Sequence, residues 1–307
     1  MSVLCLGETI IDLFCERPVA GLAEADAFVP HCGGAPANAA VAAAQCGAEV
    51  SLAGGVGDDA WGDWLASRLS SHGVGLEWLG RLPGFPTPLA FVLVSEGGEP
   101  DFIIYGEGIE AGVLSVEDRI EEAVAAHDAL LIGSNTMLGE RERALTLRAR
   151  ELALRGGKHL LFDPNLRMRR WADPDAARDL AVAALDGATL LKLNRAEAEL
   201  LTGLADPAAA AERLVEMGAH VVAVTLGADG ALLRGAATAD VPGVPARVVD
   251  TTGAGDVVTG VLAAALSNSG WEPPAAAHAL GFAVAAAGHA TERWGALDSL
   301  PGKAAAR

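Results

Sequence analysis

Hydrophobic residues in this chain gather in short unbroken runs more often than in alternation. Residues 3–7, 50–55, 129–133, 159–163, 189–193 and 220–226 each form such a run, closed or followed by a glycine or a polar residue. Runs of this kind read as strands buried on both faces. Between them lie segments with helical spacing, at residues 139–155, 174–186, 195–201, 207–217, 254–266 and 273–289. An alanine-rich stretch from Pro36 to Gly47 predicts one more helix, with the proline in its first turn. Another opens at Gly57-Asp58-Asp59-Ala60-Trp61-Gly62, with Asp58 as the expected N-cap. Strands alternating with helices imply a parallel sheet covered on both faces. Residues 76–105 differ. Two apolar runs, 89–95 and 101–105, are split only by Glu96-Gly97-Gly98-Glu99-Pro100. With no helix between them they read as an antiparallel hairpin, inserted outside the main sheet.

Bulk properties narrow the picture. The 307 residues suffice for one large α/β domain with an appendage, or for two ordinary domains. A hydrophobic share of 51% supplies a full core. The net charge of -18 argues against a nucleic-acid partner. An anionic ligand must then be met by local cations or metal. Four cysteines, Cys5, Cys15, Cys32 and Cys46, form no C-x-x-C pair and read as reduced, buried thiols of a cytoplasmic protein. The N-terminus lacks a basic segment, and Glu8 interrupts its apolar run, so no signal peptide is expected. No apolar run is long enough to span a bilayer, and no membrane partner is expected.

The chemistry concentrates where strands end and helices begin. Asp250-Thr251-Thr252-Gly253-Ala254-Gly255-Asp256 leaves bare backbone at a helix start, which is an anion site. A carboxylate there repels phosphate unless it is present to take a proton. The helix dipole is expected to keep Asp256 ionised and able to act as a base. Asp12 follows the first strand and is a candidate site residue, with a solvated turn as the alternative. Gly33-Gly34 precedes the alanine helix and allows close approach of a ligand, and Asn38 is expected to point back towards those glycines. Asp163-Pro164-Asn165-Leu166-Arg167 ends a strand and frees Asn165 and Arg167. Arg167 suits a phosphate or a sugar oxygen. Asn194 and Glu197 have capping-box spacing, yet lie on the face where phosphate and magnesium would bind. Thr225-Leu226-Gly227-Ala228-Asp229-Gly230 reads either as a nucleotide-facing turn or as a plain strand–turn–strand. No G-x-x-x-x-G-K occurs, and Gly253-x-Gly255 lacks the third glycine of a dinucleotide fingerprint, which disfavours an oxidoreductase.

In this order, over almost the whole chain, the pieces resemble the ribokinase-like, or PfkB, family of carbohydrate kinases. Gly33-Gly34-Ala35-Pro36-Ala37-Asn38 and Asp250-Thr251-Thr252-Gly253-Ala254-Gly255-Asp256 carry the resemblance most specifically. Gly7-Glu8, Ile11-Asp12, Asp163-Pro164-Asn165-Leu166-Arg167, Asn194-x-x-Glu197 and Thr225-Leu226-Gly227 fall between them. The resemblance implies an α/β fold: a three-layer α/β/α, Rossmann-like core with a mostly parallel sheet, from residues 1–9, 33–84 and 106–307. Residues 10–32 and 85–105 would form a small β lid, inserted discontinuously. It implies ATP and Mg²⁺ as partners. Asp256 would be the base, and Gly253, Ala254 and Gly255 the anion hole. Asp12, Gly33, Gly34, Asn38, Tyr105 and Asn165 would hold the sugar, with Arg167 near the phosphoryl path. Lys192, Asn194 and Glu197 would serve the triphosphate and its magnesium, Glu197 through water. Thr225, Gly227 and Gly230 would lie by the nucleotide. A monovalent cation such as K⁺ would sit near Asp250, Thr252 and Ser299. At Ala283, where many members carry a polar residue beside adenine, only packing is offered.

Gly7-Glu8-x-x-Ile11-Asp12 and the Asp163–Arg167 stretch with Trp171 look most like fructokinases and 2-keto-3-deoxygluconate kinases. Those groups commonly carry an arginine after the lid strand, where this chain has Tyr105-Gly106-Glu107. Glu107 disfavours an acid sugar if it faces the site, so a neutral sugar, fructose first, is expected. Ribose, another ketose or a nucleoside remain alternatives. A non-catalytic sugar or nucleotide sensor is a further alternative, disfavoured by Asp256. The lid hairpin is expected to have one apolar face (Phe91, Leu93, Phe102, Ile104), covered by sugar, core or a partner subunit. A homodimer through the lid follows.

Overall fold

The computed structural model describes residues 1–295. A nine-stranded sheet forms the middle layer. In spatial order its strands are β13 (Ala239–Val241), β12 (Ala231–Gly235), β11 (Val221–Thr225), β10 (Leu190–Asn194), β9 (His159–Asp163), β8 (Ala129–Gly133), β1 (Ser2–Leu6), β4 (Glu49–Gly57) and β5 (Leu79–Leu82). All pair parallel except β12 and β13. Side chains alternate between the two faces along each strand. Val3 and Cys5 of β1 join one core, while Leu4 and Leu6 join the other. Helices α1 (Ala35–Gln45), α2 (Ala60–Ser71), α9 (Ala254–Asn268) and α10 (Pro273–Ala290) cover the first face. The second is covered by α3 (Glu107–Leu114), α4 (Ile120–Ala125), α5 (Glu140–Arg155), α6 (Pro174–Leu185), α7 (Arg195–Thr202) and α8 (Pro207–Glu216). This is the three-layer arrangement the unbroken strand runs imply. The sequence pattern gives no separate signal for β5, a short edge strand holding Gly80 and Arg81.

Four more strands make the second sheet, in the order β3 (Val29–Gly33), β2 (Ile10–Phe14), β6 (Leu89–Val94) and β7 (Pro100–Tyr105). The β6–β7 pair is the antiparallel hairpin the sequence predicts. Its expected single apolar face is divided. Phe102 stands opposite Val92 and Ile103 opposite Phe91, so the pleat sends them to different sides. Phe102 and Ile104 pack with Ile10, Ala90 and Ile109, whereas Leu93 joins Cys15 and Val19. Phe91 meets the rings of Phe28 and Tyr105 on that other side.

Asp59, not Asp58, caps α2. Its carboxylate accepts from the Gly62 amide at 2.8 Å, and from the Thr87 amide and hydroxyl at 2.8 and 2.6 Å. One carboxylate thus starts the helix and anchors the approach to β6, and the Thr87 contacts decide which aspartate is used. Cys5 is buried and its thiol is pushed up to about 12 by that burial, as expected of an inert core thiol.

Helices α1 and α9 pack closely because their contact is built from alanine and glycine. A Cβ on Gly260 would lie 2.4 Å from the Ala39 carbonyl oxygen and 2.5 Å from the Ala42 Cβ. These two helices carry Asn38 and Asp256 in their first turns. Gly260→Val is expected to lower stability by about 1–3 kcal/mol or more, because helix backbone cannot yield as a side chain does. Thermal denaturation beside wild type measures this, and an unchanged melting temperature would contradict the close contact.

Candidate active site

The strand order reverses at β1, which has β4 on one side and β8 on the other. Open α/β sheets place ligands outside the carboxyl ends of the strands at such a point. Here those ends deliver Glu8 after β1, Asn135 after β8 and residues 164–170 after β9. The lid sheet brings Asp12 on β2 across the same opening. A cavity of ≈ 380 Å³ results, lined by Glu8, Asp12, Asn38, Asn135, Arg167, Asp256 and the inward lid residues Phe102 and Ile104.

Asp256 forms part of this cavity's floor. It is the third residue of α9, buried at 5% exposure. Asn38 donates Nδ2 to Asp256 Oδ2 at 2.8 Å, and Asn165 donates Nδ2 to Oδ1 at 3.2 Å. Asn38 therefore points to the aspartate and not to the glycines. Asn165 takes a left-handed φ of 44°, a local cost that buys its reach into the site. Gly33 is bare because the Asp12 carboxylate crosses it; an added Cβ would lie 2.1 Å from Oδ2. Gly34 has φ 100° and would place a Cβ 2.3 Å from the Glu8 carbonyl oxygen.

The helix start offers its amides as expected, with one change. Among the described residues, the amides of Gly253, Gly255 and Asp256 carry no internal hydrogen bond, whereas Ala254 N–H donates to the Thr251 carbonyl at 3.3 Å. Ala254 is thus partly withdrawn from the set of free amides. A cleft of ≈ 580 Å³ opens beside these amides, lined also by Arg167, Lys192, Asn194, Glu197 and Thr225. It shares Thr252, Gly253, Arg167 and Asp256 with the lid cavity. Beyond it lies a third cavity of ≈ 430 Å³, where Thr225, Gly227 and Gly230 face α10. Asp256 and its helix start stand where the lid cavity meets the path to the other two.

Lys192 is buried and reaches the Asp163 carboxylate at 3.2 Å. Burial alone would lower its pKa, but the Asp163, Glu197 and Asp256 carboxylates hold it above its ordinary value. Thr259 Oγ1 donates to the same Asp163 at 2.6 Å. Asp256 does not behave as the dipole argument predicts. Burial and the Asp163 carboxylate raise it to about 7, against lowering by Lys192, Asn38 and Arg167. Asp12 is raised further, to about 8, by burial and then by Asp250. Its Oδ1 is buried without a hydrogen-bond partner, as is Glu8 Oε2, so both carboxyls are open to a hydroxyl-bearing ligand.

Other expected residues divide. Glu197 closes its capping box, and both its oxygens are occupied, by the amides of Leu166 at 2.7 Å and Asn194 at 2.9 Å. Direct metal ligation by Glu197 therefore does not fit; contact through water does. Asp250 accepts from Thr252 N and Oγ1 and from Gly295 N, so these two candidate cation ligands satisfy each other. Ser299 lies outside the described residues, and so does the Glu107 side chain. Among the described residues, no group of three or more His, Cys, Asp or Glu is placed to hold a metal. Tyr105 is 59% exposed on the outer face of the lid, away from the cavity, because the pleat alternates it with Ile104. Ala283 is fully buried and borders none of the three cavities.

Asn135, Arg170 and the hairpin turn of the lid escape the motif reading. Asn135 donates to Glu8 Oε1 at 3.0 Å and accepts from Arg170 Nη1 at 3.2 Å. The strand-end rule, applied to residues 129–133, would have pointed to it. The hairpin turn of the lid is the third: Thr251 N and Oγ1 both donate to the Gly98 carbonyl, at 3.0 and 3.1 Å. Nothing in the local sequence signals that contact, because its partners are 153 residues apart.

An acid–amide floor, a free-amide helix start and a cleft leading away from both define a site for group transfer between two bound molecules. Comparison with known proteins agrees. The profile of the pfkB family carbohydrate kinases matches residues 1–303, and the chain belongs to that family. It is 33% identical to fructokinase-1 of Oryza sativa subsp. japonica over 308 residues, covering 97% of this chain and 94% of the relative. Among solved structures, a fructokinase from Vibrio cholerae O395 in fructose-, ADP- and calcium-bound form superimposes with TM-score 0.85 at 26% identity, covering 99% and 97% of the two chains. A putative ribokinase II from E. coli in complex with ATP and Mg²⁺ gives 0.88 at 25%, covering 99% and 97%. The protein is a carbohydrate kinase, with a ribokinase-type fold. No helix among the described residues is long and apolar enough to cross a membrane.

The raised carboxyls have a stability consequence. A folded pKa of about 8 against the ordinary 3.8 means that Asp12 favours the folded state while protonated. That contribution is whole below the unfolded value and is lost as pH rises through the folded one. The ligand-free protein is therefore expected to lose melting temperature between pH ~5 and ~8.5, and Asp12→Asn to lose less of it. Thermal scans across pH check this; equal slopes for the two proteins would exclude Asp12 as a source.

Proposed function

We propose that the protein transfers the γ-phosphoryl group of ATP to a hydroxyl of fructose or a similar neutral sugar, as a cytoplasmic fructokinase-like enzyme. The supporting observation is the position of Asp256. It faces the lid cavity, where hydroxyl acceptors are gathered, and it sits beside amides that open onto the cleft. With the sugar under the lid, its hydroxyl gives a proton to Asp256 as it attacks phosphorus. Asn38 and Asn165 hold the carboxylate in place. The amides of Gly253 and Gly255, with Arg167 and Lys192, face the charge that develops on the transferred oxygens. Mg²⁺ would be held by the phosphates, with Glu197 and Asn194 through water, and would neutralise phosphate charge there. Asp250 and Thr252 are the described residues nearest to a role with K⁺, once their mutual hydrogen bonds are exchanged.

The neutral-sugar reading is supported by Asp12 and Glu8, two buried carboxyls that each keep an unpartnered oxygen suited to the hydroxyls of an uncharged ligand. One observation favours a second reading, 2-keto-3-deoxygluconate. Arg167, Arg169 and Arg170 all border the lid cavity. Arg169, however, pairs with Asp101 at 2.6 Å and Arg170 with Asn135, which leaves Arg167, stacked over Phe102 at 5.5 Å, as the cation available to an acid. A homodimer through the outer lid face, where Phe91, Phe28 and Tyr105 gather, would cover the exposed Tyr105 ring.

Coupled ADP release over fructose, ribose, ketodeoxygluconate and nucleosides tests the substrate. Fructose is expected to give the highest kcat/KM, and absence of sugar-dependent ADP release across the panel would favour a sensor. Asp256→Asn is expected to fold and bind ATP but lose ~10²–10⁴ in turnover, so near-normal kcat would sink the assignment of the base. A mass measured in solution should be twice the 31.2 kDa chain; a monomer would count against the lid interface.

A further inference from the structure

The third cavity differs in kind from the other two. Taking it as the seat of the donor nucleotide, which rests on the reading above, we propose that it holds a purine by shape and does not read the purine's polar edge. Its polar side chains are gathered at one end. Glu99, Thr225 and Thr251 line both this cavity and the phosphate cleft, so they stand at the ribose end. Val244, Ala246, Val248, Val284 and Ala287 line this cavity and not the cleft. Among the side chains that line this cavity and not the cleft, the one polar group is Thr291, whose hydroxyl proton is given to the Gly288 carbonyl at 2.7 Å at the end of α10. A Cβ on Gly288 would lie 2.7 Å from Val244 Cγ2, so α10 and the loop after β13 meet closely there, and the glycine keeps a side chain out of this end of the cavity.

Adenine and guanine are alike in their stacking faces and opposite in the donors and acceptors of their pairing edges. A site rejects the wrong partner strongly only when a polar group is left unpaired by it. Apolar walls discriminate weakly between rings of nearly equal size. Gly243, Val244, Ala246 and Val248 also border the cavity, and their peptide groups include both donors and acceptors, so they can serve either edge. Selection then falls on the triphosphate and ribose, which ATP, GTP and ITP share.

The test compares ATP, GTP and ITP as phosphoryl donors at saturating sugar. Their kcat/KM values are expected to agree within about tenfold. A wider spread would overturn the proposal and place edge recognition on the backbone. Calorimetric titration of ADP, GDP and IDP into the sugar-free protein gives a second readout, again expected to agree within about tenfold. Equal binding of the diphosphates without sugar-dependent turnover would leave this inference standing while removing the kinase reading. Failure of all three diphosphates to bind would overturn it.

Discussion

A single hydrogen bond, from Asn38 Nδ2 to Asp256 Oδ2, joins two helix starts that are 218 residues apart in the chain. Much of the site depends on it. It can form only because α1 and α9 approach to near backbone contact at Gly260, which is why their shared surface is alanine and glycine. The helices in turn lie on one face of the sheet, so the apolar packing of that face sets the position of a buried carboxylate. A carboxylate so placed is costly to ionise, and Asn165 and Lys192 offset part of that cost from the strand ends opposite. Stability and chemistry therefore draw on the same few contacts.

The parallel core was legible because strands buried on both faces leave unbroken apolar runs, and because β–α alternation admits few topologies. The helix start at Asp256 was legible for a similar reason: Gly253 and Gly255 mark bare backbone at a helix start, and the structure gives Gly253 a φ of 76° and leaves no room for a Cβ on Gly255 beside Lys192 Nζ. What the sequence could not convey was direction. Phe102 and Ile103 look equivalent in the chain, and only the pairing register with β6 separates the cavity side from the outer side. Tyr105 was assigned to the wrong face for that reason. The raised pKa of Asp256 was also hidden, because its burial and the approach of Asp163 arise only through the fold. Local dipole reasoning sees the helix and misses the neighbour.

The charge budget shows a similar division. The chain carries a net charge of -18, yet its cations at the cleft are few and are held by specific partners. Lys192 is fixed by Asp163 and Arg195 by Asp229 at 2.6 Å. A highly anionic nucleotide approaches this surface against the global field and is met only at short range. Binding that depends on close contacts and not on long-range attraction should change little with ionic strength, since screening acts mainly beyond a Debye length of ~8 Å.

The Thr251–Gly98 contact links two motions that the sequence keeps apart. Thr251 stands two residues before the glycine that begins the anion hole, and both its donors are spent on the tip of the lid. A lid that lifts must release them, and the loop that shapes the amides is then untethered. Closure over one ligand and ordering of the free amides at the helix start would thus become a single event. Such an arrangement would work as a safety catch: a nucleotide bound under a lifted lid would meet a loosened cradle, and water would gain little as a substitute nucleophile.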